Sequence, residues 1–149
     1  ANFANDDRRP AIAMAQHDEG TPSVIYHVVQ QSAWDAAQAA GEYFPPRYDK
    51  DGFIHATHEA ALLLGVLNFK HPTLGYIHRE IKETFLCLAI DTTVLTSPVK
   101  MEAAAAREGQ AAPIAFPHIF GPIAPLSCVT RQLPVLRGDD GAFLSIDGL

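Results

Sequence analysis

Short stretches of alternating or continuous apolar residues mark the strands of this chain. Residues Val24–Gln30 are rich in β-branched and aromatic side chains, a composition and alternation typical of a strand. Glu83–Asp91 is almost continuously apolar, so we predict a central strand covered on both faces. The pattern predicts four further strands, which are Gly52–Thr57, Val99–Glu102, Leu126–Leu136 and Ala142–Ile146.

Two helices are expected in the first half of the chain. The segment Ser32–Asp35 resembles a capping box, with Asp in place of the usual Glu. The alanine-rich stretch around it predicts a helix over Ala33–Ala40 that ends at Gly41, a residue that adopts the left-handed conformation without strain. Thr57 is expected to cap a second helix, which runs from about His58–Phe69.

The second half of the chain is dominated by strands and turns. Ala103–Gly109 has a helical composition but is short, and Phe116–Pro125 is predicted to be a loop because it holds three prolines and a glycine. Pro134 is expected to interrupt or end the strand that contains it. About six strands, two or three helices and no regular βαβ alternation favour an α+β fold with a curved, mixed or mostly antiparallel sheet.

Length and composition indicate one domain. Residues 1–22 show no sustained periodicity and are predicted to form a flexible tail, while residues 23–149 are predicted to form a single α+β domain. The net charge of −6 disfavours nucleic acid and anionic membranes as partners. No apolar run reaches the roughly 20 residues of a membrane helix. Two cysteines without a framework spacing favour buried thiols and a cytoplasmic location.

Three histidines stand in apolar or strand-like segments, namely His27, His55 and His118. A histidine inside a strand has to satisfy two ring nitrogens away from bulk water. One such residue is easily explained by packing, but three in similar settings suggest a shared site. The alternative, in which each is a core histidine bonded to a neighbouring carbonyl group, remains open.

Several other polar residues are candidates for the same site. Arg47, in a proline-rich loop, could clamp a phosphate or carboxylate with its planar guanidinium group. Thr57 offers a hydroxyl group near His55, and Glu102 is the best-placed carboxylate for polar chemistry near the histidines. The chain lacks an HExxH motif and a Cys/His quartet, so we predict no metal site. It also lacks the glycine-rich dinucleotide and phosphate loops and the GxSxG elbow.

Taken together, several segments resemble the motifs of the domain-of-unknown-function 952 family. The resemblance covers about residues 24–146, and the order of its pieces is more specific than any piece alone. The segments are Ile25–Val29, Gly41–Tyr43, Gly52–Thr57, Val99–Glu102 and Phe116–Pro122.

That family is in turn similar in fold to the ADP-ribosyltransferase superfamily, which binds NAD in the cleft of a split, mixed sheet. The resemblance implies an ADP-ribosyltransferase-like fold with NAD as a substrate whose nicotinamide–ribose bond is cleaved. His27 would hold the ribose, His55 would frame the nicotinamide side, and His118 or Glu102 would stand near the catalytic position. The implied binding set is His27, Tyr26, Arg47, His55 and Thr57. A non-catalytic nucleotide-binding or metabolite-binding module, and a structural protein with core histidines, are the alternatives.

Overall fold

The computed structural model describes residues 17–68, 81–103 and 114–149. Within these ranges no helix is long and apolar enough to cross a membrane. The helices are α1 (Gln31–Ala40), α2 (Tyr48–Asp51) and α3 (Ala60–Asn68), with a 3₁₀ turn at Leu126–Cys128. The strands are β1 (Val24–Gln30), β2 (Ile54–His55), β3 (Phe85–Asp91), β4 (Val99–Ala103), β5 (Ala115–Ile119), β6 (Val129–Arg137) and β7 (Phe143–Ile146).

These strands form two antiparallel sheets. The four-stranded sheet has the order β1-β3-β6-β7, and the three-stranded sheet has the order β2-β5-β4. A backbone bridge between Tyr26 and Thr57 joins β1 to the segment that follows β2. The α+β class with a curled antiparallel sheet and three short helices is therefore confirmed. The similarity to the ADP-ribosyltransferase fold stays a prediction.

Strand β3 is covered on both faces, as its continuous apolar sequence predicts. Leu88 and Ile90 point into a first core, which also receives residues from the three-stranded sheet and from α1. Phe85 and Cys87 point into a second core beneath α3. Because successive side chains of a strand point to opposite faces, a strand buried between two cores has to be apolar at nearly every position.

Helix α1 ends at Gly41 as predicted, with φ +78°, but its N-terminal capping box is wrong. The helix begins at Gln31, and the N-cap residue Gln30 makes no side-chain cap bond. The carboxylate of Glu83 instead accepts hydrogen bonds from the backbone N–H of Ser32 and from the Gln30 amide, both at 2.9 Å. These bonds lower the pKa of Glu83, because they favour its charged form.

Helix α3 begins at Ala60, so Thr57 lies too far from it to be its N-cap, and that prediction is also wrong. Thr57 is buried and pairs through its backbone with Tyr26. The described part of the helix ends at Asn68, and the predicted boundary at Phe69 lies outside the described residues.

Strand β5 occupies part of the segment predicted to be a loop, and it contains Pro117. The carbonyl oxygen of Pro117 accepts a hydrogen bond from Ala56 N–H, on the β2 side. In an antiparallel strand the N–H and C=O of one residue point the same way, so the missing N–H of Pro117 also faces β2. Because β2 ends at His55, no bond to β4 is lost.

Pro134 neither interrupts nor ends β6, which runs without a break over Val129–Arg137. The carbonyl oxygen of Pro134 accepts a bond from Asp147 N–H, just beyond the end of β7. The missing N–H again falls where the neighbouring strand has finished. The predicted helix at Ala103–Gly109 is contradicted at its first residue, which belongs to β4, and its remainder lies outside the described residues.

In the last part of the predicted tail, residues 17–22, His17 and Asp18 lie along the outer edge of β4. Asp18 N–H donates to the carbonyl oxygen of Val99, and the Asp18 carboxylate accepts from Met101 N–H. His17 accepts from Val99 N–H at Nδ1 and donates from Nε2 to the carbonyl oxygen of Thr92. We call residues 17–22 the edge segment.

Candidate functional site

The three-stranded sheet has one buried face and one face that carries polar and aromatic side chains. The buried side chains Ile54, Val99 and Ile119 belong to the first core. Their neighbours along each strand point the other way, because the side-chain period of a strand is two. We call this second face the histidine face; its residues are Phe53, His55, Lys100, Glu102, Phe116, His118 and Phe120.

His118 occupies the middle of the histidine face. It lies opposite His55 on β2 and opposite Lys100 on β4. Its Nδ1–H donates to Oε1 of Glu102 at 2.8 Å. The side chain of Glu102 is 46% exposed and that of His118 only 15%. The carboxylate therefore fixes the orientation of the His118 ring and keeps a proton on Nδ1. The other ring nitrogen, Nε2, is not used by this bond.

His55 has a carboxylate partner of its own. Its Nε2 lies 3.5 Å from Oδ2 of Asp51, and the other carboxylate oxygen of Asp51 lies 3.8 Å from the guanidinium group of Arg47. Burial, with repulsion from His118 and His27, lowers the pKa of His55 to about 4, although Asp51 acts in the opposite direction. The imidazole is therefore neutral at pH 7.

The two imidazoles are close neighbours. The ring centroids of His55 and His118 lie 5.4 Å apart, with one ring edge-on to the other. Phe53 stacks on His118 at 4.1 Å and meets His55 edge-on at 4.6 Å. Phe120 lies 5.5 Å from Phe53, and Nζ of Lys100 lies 4.9 Å from the Phe120 ring centroid. The face thus combines two imidazoles, two carboxylates, a cation and aromatic rings.

His27 lies behind this face, at the junction of the two sheets. Its Nδ1–H donates to the backbone carbonyl oxygen of His55 at 2.6 Å. The ring keeps some surface exposure, but Nε2 is enclosed and has no hydrogen-bond partner among the described residues. Burial lowers the pKa of His27 to about 4, despite the bond to the His55 carbonyl. Tyr43, at 5.8 Å from the ring, is buried as well, which raises the pKa of its hydroxyl group.

The remaining predicted residues are distributed unevenly around this site. Arg47 is brought to it through Asp51. Tyr26 packs against the second core, on the side of β1 opposite to His27, and Thr57 is 3% exposed. The structure therefore brings together His27, His55, His118, Glu102 and Arg47, but not the rings or hydroxyl groups of Tyr26 and Thr57. Within the described ranges, no group of three or more His, Cys, Asp or Glu could hold a metal ion.

Sequence reasoning missed Asp51, Phe53 and Lys100 as members of the site. Asp51 sits in a turn-like sequence, although its position four residues before His55 was a usable signal. The alternation of the predicted strand already puts Phe53 on the same face as His55, but nothing in the sequence marks its ring as part of a site. Lys100 could be recognised only through the pairing of β4 with β5, which brings it next to His118.

An open groove of about 400 Å³ lies elsewhere, at one end of the four-stranded sheet. None of the residues of the histidine face lines it. Its walls are Lys82, Glu83, Thr84, Val135, Arg137, Gly138, Asp139 and Gly141. The side chains of Lys82 and Arg137 bond backbone carbonyl groups there. The groove therefore offers volume, whereas the histidine face offers the titratable groups.

Fold and site together define a small α+β protein with two antiparallel sheets and a row of imidazoles on one sheet face. The chain belongs to the family described as Protein of unknown function (DUF952), whose model matches residues 28–131. This confirms the resemblance seen in the sequence. The matched range contains His55, Glu102 and His118.

Solved structures of one bacterial protein have the same fold. The crystal structure of protein CC0527 from Caulobacter crescentus is 25% identical over 81% of this chain and 93% of that one, with a TM-score of 0.60. A double mutant of CC0527 gives 24% identity and the same TM-score, and its solution NMR structure gives 23% identity and a TM-score of 0.53. No curated protein matches the chain.

Proposed function

We propose that the histidine face binds a small nucleotide-like molecule and exchanges protons with it. The observation that carries the proposal is the presence of two carboxylate–imidazole pairs side by side, Asp51 with His55 and Glu102 with His118. Two imidazoles 5.4 Å apart can serve as proton acceptor and donor on neighbouring atoms of one ligand. A merely structural histidine needs no carboxylate beside it on an exposed face.

The surroundings of the imidazoles indicate the class of ligand. Phe53, Phe116 and Phe120 are each only partly buried and provide flat apolar surface on which a base could stack. Lys100 is exposed and supplies a positive charge for a phosphate group. Because Asp51 and Glu102 flank the same face, and the chain has a net charge of −6, a mononucleotide or dinucleotide suits it better than a nucleic acid strand.

NAD is the member of this class that we propose first. In this proposal His55, neutral at pH 7, accepts a hydrogen bond from a ribose hydroxyl group, while Nε2 of His118, whose Nδ1–H is bonded to Glu102, accepts the proton of the attacking nucleophile. Glu102 is about half exposed, so it could also oppose the positive charge that develops when the nicotinamide–ribose bond breaks. Nicotinamide leaves with the electron pair of the broken bond, the nucleophile bonds the same ribose carbon atom, and the proton of the nucleophile passes to an imidazole.

Calorimetry with NAD, ADP-ribose and inorganic phosphate tests the proposal. We expect His118→Gln and Lys100→Gln to weaken binding about tenfold or more, since each removes a hydrogen bond or charge worth about 1.5–3 kcal/mol. Lys82→Gln, a lysine substitution at the groove beside the four-stranded sheet, is the matched control and should bind as the wild type does. Absence of binding by all three compounds at millimolar concentration, in a folded sample, would refute it.

A binding module without turnover is the second candidate. The stacking of Phe53 on His118 at 4.1 Å favours it, because this contact already gives the imidazole a packing role within the aromatic surface of the face. A ligand-dependent rise in melting temperature without release of nicotinamide would select this candidate. Release of nicotinamide that His118→Gln abolishes would select the enzyme instead.

A further inference from the structure

The backbone carbonyl group of His55 points away from β5, the neighbour of β2 in the three-stranded sheet. Ala56 N–H bonds the carbonyl oxygen of Pro117 on β5. Since alternate residues of an antiparallel strand bond the same neighbour, the carbonyl oxygen of His55 points towards the opposite edge of β2. Within residues 17–68, 81–103 and 114–149 no strand pairs with that edge at the level of His55, and the carbonyl oxygen there accepts from the Nδ1–H of His27 at 2.6 Å.

This bond continues a pairing that the backbone begins. Tyr26 and Thr57 exchange two backbone hydrogen bonds, of 2.7 and 2.9 Å. One residue further along β1, and two residues back along the other segment, the imidazole of His27 replaces the backbone donor. The two sheets separate at this point, so a side chain is needed to span the gap between them.

We infer that His27 is a positioning residue, whose Nδ1–H fixes the end of β2 and thereby the direction in which the imidazole of His55 projects. Strand β2 has only two residues, so the bond from His27 adds an anchor at the point where this strand ends. The inference rests on the proposed function, because it assigns to His27 the orientation of a group that would meet the ligand. His27 itself does not touch the ligand.

The surroundings of His27 suit this role. A carbonyl oxygen only accepts, so Nδ1 must carry the proton, and Nε2 is then an unprotonated nitrogen enclosed by protein. Tyr43 lies 5.8 Å from the imidazole and is itself packed against Trp34 at 6.1 Å. These rings hold the imidazole in place, which keeps the donor aimed at the carbonyl group.

Ligand-free NMR tests the inference without reference to NAD. The ring nitrogens of His27 in the wild-type chain at pH 7 should report the Nδ1–H tautomer. His27→Asn puts an amide nitrogen near the position of Nδ1, whereas His27→Gln puts it near Nε2. We expect the ring resonances of His55, and its nuclear Overhauser contact with His118, to survive in His27→Asn and to shift or disappear in His27→Gln.

Two results would overturn the inference. One is an Nε2–H tautomer of His27 in the wild type, which requires no variant. The other is an equal effect of the two substitutions on the His55 resonances. If NAD binds, His27→Gln should lose about tenfold more affinity than His27→Asn. If NAD does not bind, the proposed function fails while the NMR result still decides the role of His27.

Discussion

The two sheets differ in the kinds of group that contact their charged side chains. On the four-stranded sheet, the guanidinium group of Arg137 lies over the rings of Phe85 and Phe143, 4.8 and 4.7 Å from their centroids. It donates to the backbone carbonyl groups of Ile81, Glu83 and Gly141. These backbone acceptors and rings do not titrate, and their contacts with Arg137 hold the edge of the fold together.

The histidine face is the opposite case. There the partners of His55 and His118 are the carboxylates of Asp51 and Glu102, which are themselves ionisable and partly exposed. Groups with such partners can change protonation state without unfolding their surroundings. The comparison teaches that the partner of a charged group, more than its burial, separates a structural role from a chemical one.

The largest expected effect is on stability, and it should fall on the four-stranded sheet. Arg137→Met leaves three partly buried carbonyl groups without this donor and removes the contacts with two rings, so it should lower the free energy of unfolding by about 3 kcal/mol. His118→Gln breaks one partly exposed ion pair and should cost less than about 1 kcal/mol. Urea unfolding of both variants measures the difference. Equal losses would break the comparison between the sheets.

A second prediction concerns acid. The pKa of His27 is lowered to about 4 in the folded chain, against 6.5 for an unperturbed imidazole. As the pH falls, the unfolded chain binds this proton at a higher pH than the folded chain does. The contribution of neutral His27 to the free energy of unfolding is therefore complete above about pH 6.5 and is lost as the pH falls to about 4. His55 acts in the same direction. For His27 the loss should reach about 2–3 kcal/mol.

Urea unfolding at a series of pH values measures this slope. His27→Asn has no titrating ring and should give a flatter acid limb than the wild type. Arg137→Met is the control from the other sheet: it should be less stable at every pH but keep the wild-type slope, since arginine stays charged throughout this range. A His27→Asn slope equal to that of the wild type would contradict the assignment.

The smallest of the three effects sharpens the comparison, because it is a purely structural effect on the sheet that carries the histidine face. Gly121 follows β5 with φ +144°, and a Cβ there would lie 2.5 Å from Oγ of Ser97. Gly121→Ala should lower the free energy of unfolding by about 2 kcal/mol. Gly65→Ala in α3 meets no atom of the described residues and should stabilise the chain by up to about 1 kcal/mol. Thermal melting compares them, and equal behaviour would contradict the steric argument.

What the sequence revealed depended on whether the determinant was local. The observed bounds of β1 are identical to the predicted ones, and α1 stops at Gly41 as predicted. Both features depend on signals within a few residues, namely side-chain alternation and a glycine in the left-handed conformation. The cap of α1 failed, since its acceptor is Glu83, about fifty positions away. Strand β5 was missed because Pro117 is tolerated only through the early end of β2, which the sequence does not reveal.

The site shows the same limit. The three histidines could be picked out by their apolar settings, and the structure brings them together. The sequence could not predict that His55 and His118 lie on the histidine face while His27 lies behind it. Whether an imidazole faces solvent or a neighbouring carbonyl group depends on where the two sheets separate, which is a property of the packed sheets. Hence His27, given the same weight as His55 in the sequence, lies behind the face on which His55 lies.

The edge segment has a consequence for how the chain behaves towards other copies of itself. Strand β4 is a border strand of the three-stranded sheet, and the N–H groups of Val99 and Met101 on its outer side are occupied by His17 and Asp18. An exposed edge strand has unpaired N–H and C=O groups, with which strands of other chains can pair and aggregate. By bonding these groups, residues 17 and 18 protect the edge of β4 from pairing with another chain. We therefore expect a shortened chain that begins at residue 23 to precipitate more readily than the longer one.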